Sequence, residues 1–190
     1  MSPIIPTACP ISLTPFPAAR PPGYPAELEQ WLTLRNGQIV FVRPLIPADE
    51  LALEHAWHDV DTDTLYQRFF VPEPKLDARR LHALVHLDYR WRLALVAFDA
   101  ENRGIGIARY EGAPGEQQAE IALVVHPIRR RLGLGCHLLA LLTAAAQTRG
   151  IRRLSALYLQ ENQGMAALLA RAGFCEPQVN DGVAITEKVL

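Results

Sequence analysis

The segment that most restricts how this chain can fold is 119–159. Ala119-Glu-Ile-Ala-Leu-Val-Val125 is β-competent and runs into His126-Pro-Ile-Arg-Arg-Arg-Leu-Gly133-Leu-Gly135. Leu138, Leu139, Leu141, Leu142 and Ala145 then supply the apolar side of a helix over 134–148, and Arg153 to Leu159 is β-competent again. Strand, glycine loop, helix and returning strand belong in a layered α/β arrangement, with the helix packed on a sheet. The helix start also has chemical weight. Its first N–H groups lack intrahelical acceptors and stand at the positive end of the helix dipole. Gly133 and Gly135 let the backbone approach a bulky anion, and Arg129, Arg130 and Arg131 add charge beside it. Phosphate or pyrophosphate is the natural ligand of such a place. No Gly-Lys-Ser/Thr follows, which excludes a Walker A loop. The R-x-x-G-x-G spacing, with no earlier βαβ pattern, disfavours a dinucleotide fingerprint.

The rest of the chain reads as one domain with a tail. Eight of the fifteen prolines fall in residues 1–25, and proline denies both a long helix and a central strand. Residues 1–31 are therefore expected to be a Pro-rich, extended N-terminal tail, with a short helical turn within Pro25 to Trp31, and residues 32–190 the folded domain. Thr33 to Arg35 and Gln38 to Pro44 flank Asn36-Gly37, a pair that favours a tight hairpin because both residues tolerate φ > 0. Pro47-Ala-Asp-Glu opens a helix with Leu51, Leu53, Ala56, Trp57 and Val60 on its apolar face. Asp61 or Asp63 caps a second helix carrying Leu65, Tyr66, Phe69 and Phe70 and stopped by Pro72 and Pro74. Asp77 to Leu87 is a third. Strands follow at Arg92 to Phe98 and Ile105 to Tyr110, and the chain closes with a helix from Asn162 to Ala172, ended by Gly173, and a strand from Val183. The layout predicts an α/β fold around a single central sheet.

Arg130-x-x-Gly133-x-Gly135, the helix and strand after it, then Glu161-Asn162-x-x-Met165-x-x-Leu168 and Ala172-Gly-Phe174 together resemble the GNAT superfamily of N-acetyltransferases. The first block resembles that family's acetyl-CoA pyrophosphate loop, the second the block whose Asn touches the pantetheine arm. Tyr24-Pro-x-Glu-Leu-Glu29, Leu34-Arg-Asn-Gly37, Val42-Arg-Pro-Leu-x-Pro-x-Asp49, Leu65-Tyr-x-Arg68-Phe-Phe70 and Asp88-Tyr-Arg90 are similar to the acetyltransferase domain of bacterial Pat-type protein lysine acetyltransferases. In those proteins the domain is often fused to a CoA-ligase-like or cyclic-nucleotide-binding domain. At 190 residues this sequence is expected to hold neither. The resemblance implies a GNAT-like fold, a mixed, mostly antiparallel sheet flanked by helices, and transfer of an acetyl group from acetyl-CoA to a primary amine. A protein lysine is the expected acceptor. A small amine, or a catalytically inactive CoA-binding module, is the alternative.

The same resemblance assigns the site. Glu120, on the strand leading into the loop, is the expected general base; an alkylammonium with a pKa of about 10.4 is no nucleophile until it loses a proton. The backbone from Leu123 to Val125 is expected to pair with the pantetheine and polarise the thioester. Arg130, Arg131, Gly133, Leu134 and Gly135 would hold the pyrophosphate, and Asn162 the cofactor arm. Many family members carry a tyrosine in the helix after that Asn to protonate the leaving thiolate. Residues 162–172 have none, which leaves the general acid unassigned. Leu132 stands where the family often has a basic residue, and Arg131 is the nearest compensation.

Other features read more plainly. His55/His58 and His82/His86 have helical spacing, yet no neighbouring cysteine or acid completes a ligand set in sequence, so no metal is expected. Cys136 lacks a His–Asp partner pattern, so packing is preferred to covalent catalysis. Tyr66, Phe69 and Phe70 read as core, and Asp88 and Glu73 as surface acids. The net charge of −1 argues against nucleic-acid binding. No apolar run is long enough to cross a bilayer, and Met1 to Pro10 does not read as a signal peptide. With three scattered cysteines, Cys9, Cys136 and Cys175, a cytoplasmic setting with free thiols is expected.

Overall fold

The computed structural model describes residues 19–71 and 74–190. Most of the proline-rich stretch, together with Cys9, Pro72 and Glu73, lies outside them. The described N-terminal residues pack against the domain. Pro25 is buried, Tyr24 sets its ring edge-on to Tyr89 at 5.8 Å, and Arg20 pairs with Glu29 at 2.7 Å. The turn read between Pro25 and Trp31 is a single 3-10 turn, Ala26–Leu28.

Among the described residues, eight strands form one sheet: β1 (Gln30–Thr33), β2 (Ile39–Pro44), β3 (Arg92–Phe98), β4 (Gly104–Gly112), β5 (Gln118–Val125), β6 (Arg153–Leu159), β7 (Gln178–Asn180) and β8 (Val183–Val189). Their order is β1-β2-β3-β4-β5-β6-β8-β7. Only β5 and β6 run parallel; the other neighbouring pairs are antiparallel. The mixed, mostly antiparallel α/β sheet is thus observed. Parallel neighbours need a crossover, and α4 (Leu134–Thr148) supplies it.

Strand alternation divides the side chains between two faces. Leu93, Leu95, Ala108, Tyr110, Ile121, Leu154 and Ala156 meet Leu134, Leu138, Leu139 and Leu142 of α4 and Leu169 of α5 (Gln163–Arg171) in the main core. On the other face a smaller cluster of Phe41, Leu45, Ala94, Val96 and Phe98 takes in Leu53 of α1 (Glu50–Asp59) and Val85 of α3 (Ala78–Val85). The second helix, α2 (Thr62–Phe69), contacts β5 and β6.

Local chemistry sets the boundaries. Asp61 caps α2, its carboxylate accepting from Thr64 N–H and Oγ1, each at 2.8 Å. Asp77 caps α3 through Arg80 N–H at 2.7 Å, and Asn162 caps α5 through Met165 N–H at 3.0 Å. Several boundaries differ from expectation. The first strand begins at Gln30, before the reading at Thr33, because Trp31 pairs with Phe41 across the hairpin. Of Asn36 and Gly37, only Gly37 takes a positive φ, and it closes a wider turn in which its N–H reaches the Leu34 carbonyl at 2.9 Å. The α2 helix stops before the prolines, at Phe70, whose φ is 60°. Strand β7, all three residues exposed, has no counterpart in the sequence pattern.

Candidate active site

Strands β5 and β6 begin as partners and then part. Their register runs from Gln118↔Arg153 to Ile121↔Ala156, after which both continue unpaired with one another, β5 to Val125 and β6 to Leu159. A cavity of about 500 Å³ occupies the gap. Residues 121–125 form one wall and Ala156, Leu157 and Tyr158 the other, with Gly135 and Cys136 of α4, Met165 and Leu168 of α5 and its cap Asn162 also lining it. Among the described residues, the edge of β5 that faces β6 here has no strand beside it, so its peptide groups are available to an extended ligand.

At one end of this cleft lies the glycine loop. Gly133 takes φ 93°, a left-handed conformation that disfavours a side chain, and α4 starts at the next residue. From Arg131 through Cys136 the backbone N–H groups donate to no acceptor among the described residues. This is the concentration of free donors that an anion requires. Around it stand Arg129, Arg130 and Arg131, joined by Arg35 and Arg171. Arg35 is delivered by the β1–β2 hairpin: its N–H donates to the Leu132 carbonyl at 3.0 Å, and its side chain passes over Gly133.

The predicted residues fall in different places. Leu123, Val125, Arg130, Arg131, Gly133, Gly135 and Asn162 line the cleft. Leu134 does not; its side chain is buried among the core residues and packs where a Cβ on Gly106 would lie. Only its N–H can serve a ligand. Arg130 is tethered in two directions, Nε to the Val125 carbonyl at 3.0 Å and Nη2 to Thr64 Oγ1 at 2.8 Å. Asn162 Nδ2 donates to Gln67 Oε1 at 3.1 Å. Thr64 and Gln67 therefore hold α2 across the cleft. Arg129 is committed to Asp99 Oδ2 at 3.1 Å and Gln38 Oε1 at 2.9 Å, which makes it a strut of the loop.

Glu120 is exposed and lies on the face opposite α4, paired across the sheet with Glu111 and Ser155. It sits one residue before the last β5–β6 pair, at the point where the strands begin to part. Arg68 of α2 is near enough for Glu120 and Glu111 to raise its pKa, although burial, the larger effect, and Arg109 hold that guanidinium below its ordinary value. Arg109 is itself buried and pairs with Glu111 at 2.6 Å.

Three contributors escaped the sequence reading: Arg35, Thr64 with Gln67, and Tyr158. Tyr158 is 4 % exposed, lines the cleft from β6, and its hydroxyl has no hydrogen-bond partner among the described residues. Residues 162–172 hold no tyrosine; the cleft takes one from the strand before them. Cys136 lines the cleft half-buried, and its thiol makes no hydrogen bond among the described residues. No helix of the described residues is long and apolar enough to cross a membrane.

The comparisons agree with this geometry. Residues 40–175 match the family model described as the acetyltransferase (GNAT) domain. An acetyltransferase of Pseudomonas aeruginosa is 28 % identical over 152 residues, covering 78 % of this chain and 82 % of that one. The acetyltransferase Pat of Mycolicibacterium smegmatis is 28 % identical over 157 residues, 81 % of this chain but 46 % of Pat, so the chain spans about half that protein. Among solved structures, the GNAT domain of S. lividans PAT superposes with a TM-score of 0.81 at 32 % identity, over 88 % of this chain and 99 % of that domain. A phosphinothricin acetyltransferase from Sinorhizobium meliloti, solved with AcCoA, shares the fold with a TM-score of 0.65 at 19 % identity, over 84 % of this chain and 89 % of that one. With the parted strands, the glycine loop and a family match across most of its length, this chain belongs to the GNAT acetyltransferases.

Proposed function

We propose that the chain transfers an acetyl group from acetyl-CoA to a primary amine, with a lysine side chain of a protein as the acceptor. The observation that carries the reading is the run of free N–H groups from Arg131 through Cys136 at the mouth of the β5–β6 gap. A diphosphate suits the first and an extended amide-bearing arm suits the second. Acetyl-CoA supplies the activated acyl group. Arg130 and Arg131, with the N–H groups of Gly133, Leu134 and Gly135, would bind the pyrophosphate, and Arg35 supplies the charge that Leu132 does not. The open edge of β5 at Leu123 and Val125, with Asn162, would hold the pantetheine. The sequence resemblance to Pat-type protein lysine acetyltransferase domains supports a protein acceptor, as does the exposed setting of Glu120, which a lysine on another protein can reach.

The proton leaves the incoming ammonium for Glu120, directly or through one water, as the amine attacks the thioester in a ternary complex. The thiolate is a good leaving group, with a thiol pKa of about 8.5. Calorimetry with acetyl-CoA tests the cleft, and saturable binding weakened by Arg130→Ala is expected. Intact-protein mass spectrometry of candidate protein substrates, run beside a panel of free amines, tests the acceptor. Glu120→Gln should lower kcat by about 10²- to 10⁴-fold with acetyl-CoA affinity kept. Unchanged turnover would remove Glu120 from its role, and absence of calorimetric binding would end the reading as a whole.

A further inference from the structure

We infer that Glu50, His82 and His86 form a binding site for a divalent transition-metal ion of the zinc class, bridging α1 and α3 outside the cleft. Sequence spacing left the His82/His86 pair without a third ligand; the fold brings one from the neighbouring helix. One oxygen of Glu50 and one nitrogen from each ring lie within 4.8 Å of one another. Two imidazoles and a carboxylate are a donor set that zinc takes, at roughly 2.0–2.2 Å each. Ligands of one such ion stand at most roughly 4.2 Å apart, so small side-chain rotations close the set.

The surroundings are built as a metal ligand's surroundings are. His82 and His86 lie four residues apart at the end of α3, on one face, with ring centroids 3.5 Å apart. His86 Nδ1 is 3.0 Å from the His82 carbonyl oxygen. A carbonyl only accepts, so Nδ1 bears the proton and Nε2 of the neutral ring keeps its lone pair free, the arrangement in which histidine binds metals. The helix is anchored by Leu81 and Val85, both buried. Glu50 opens α1 beside an anchored residue. It follows Asp49, whose carboxylate takes two 2.7 Å bonds from buried Arg43 and a 2.9 Å bond from Ile46 N–H. Packed elements therefore hold all three ligands. A cation here meets the negative C-terminal end of α3, and the Glu50 carboxylate offsets the positive start of α1. Glu50 and His82 are half-buried and exposed respectively and His86 is exposed, so an ion can enter and keep an open coordination position for water.

The test uses the full chain, stripped with EDTA, and zinc ion as the probe in a non-chelating buffer at neutral pH. One zinc per chain is expected by calorimetry, with no heat from magnesium, which avoids imidazole donors. His82→Ala, His86→Ala and Glu50→Gln should each weaken zinc by at least about tenfold while acetyl-CoA binding persists. Circular dichroism checks each fold. If a histidine variant fails to fold, Glu50→Gln, which keeps the side chain's size, decides. Absence of saturable zinc binding, or wild-type affinity in any folded variant of the three, overturns the site.

Discussion

The Arg43–Asp49 pair allows a quantitative test of how the first helical layer is held. Asp49 is 4 % exposed and Arg43 1 %. The guanidinium meets both carboxylate oxygens at 2.7 Å, lies over the Phe98 ring at 4.6 Å and reaches the Pro44 carbonyl at 3.0 Å. Asp49→Ala removes the counter-charge at this distance and also the acceptor for Ile46 N–H. Breaking a buried pair from one side costs about 3–5 kcal/mol, because the remaining charge loses its bidentate counter-charge away from water. For a chain of this size each kcal/mol moves the melting temperature by about 2–4 °C, so a fall of about 6–20 °C is expected. Urea unfolding followed by far-ultraviolet circular dichroism gives the free energy directly. The double variant Arg43→Met/Asp49→Leu should lose much less than the sum of the single changes, since an apolar pair needs no solvation. A loss below about 1 kcal/mol for Asp49→Ala, or strict additivity in the cycle, would refute the reasoning.

Other outcomes follow from the glycine loop and the α2 cap. Gly133→Ala forces a side chain into a left-handed conformation and should cost about 1–2 kcal/mol in urea unfolding. Gly135→Ala should leave stability nearly unchanged, since its new methyl would meet Leu168, Leu123 and Val125 at 3.5–3.8 Å, ordinary contact distances. The methyl narrows the cleft, so calorimetric affinity for acetyl-CoA should fall. The Thr64 N–H, foremost, and Thr64 hydroxyl depress the Asp61 pKa below its ordinary 3.8. A depressed carboxylate stabilises the fold above its unfolded pKa and loses that contribution as pH falls through the folded value. The stability gap between the wild type and Asp61→Asn should therefore be full at neutral pH and shrink below about pH 4; a gap independent of pH would contradict the cap's charge.

Much of the architecture was legible because local signals and tertiary packing agreed. The leucines of α4 bury one stripe, and its residues 134–148 match the reading, as do the strands at 92–98 and 153–159. Asp77 and Asn162 announced their helices as caps. Strand β7 was illegible because Gln178, Val179 and Asn180 are all exposed and carry no burial alternation; only pairing with β8 makes them a strand. The turn at Gly133 was legible because its conformational demand is local. Arg35 at the glycine loop, Tyr158 in the cleft and Glu50 beside His82 were not, since each arrives by pairing or packing between elements distant in sequence. Leu134 shows the converse: it opens α4 where the pattern places the helix start, while the direction of its side chain is set by the core.

The parting of β5 from β6 also divides the chain in a simple way. The wall formed by β5 belongs to a continuous five-strand meander from Gln30 to Val125, and the wall formed by β6 belongs to a three-strand unit from Arg153 onward. Cleavage between α4 and β6, near the exposed Gly150, would yield two fragments that each own half of the binding groove. Coenzyme recruitment then becomes a reporter of reassembly, and the groove itself a product of the two pieces docking rather than a property of either.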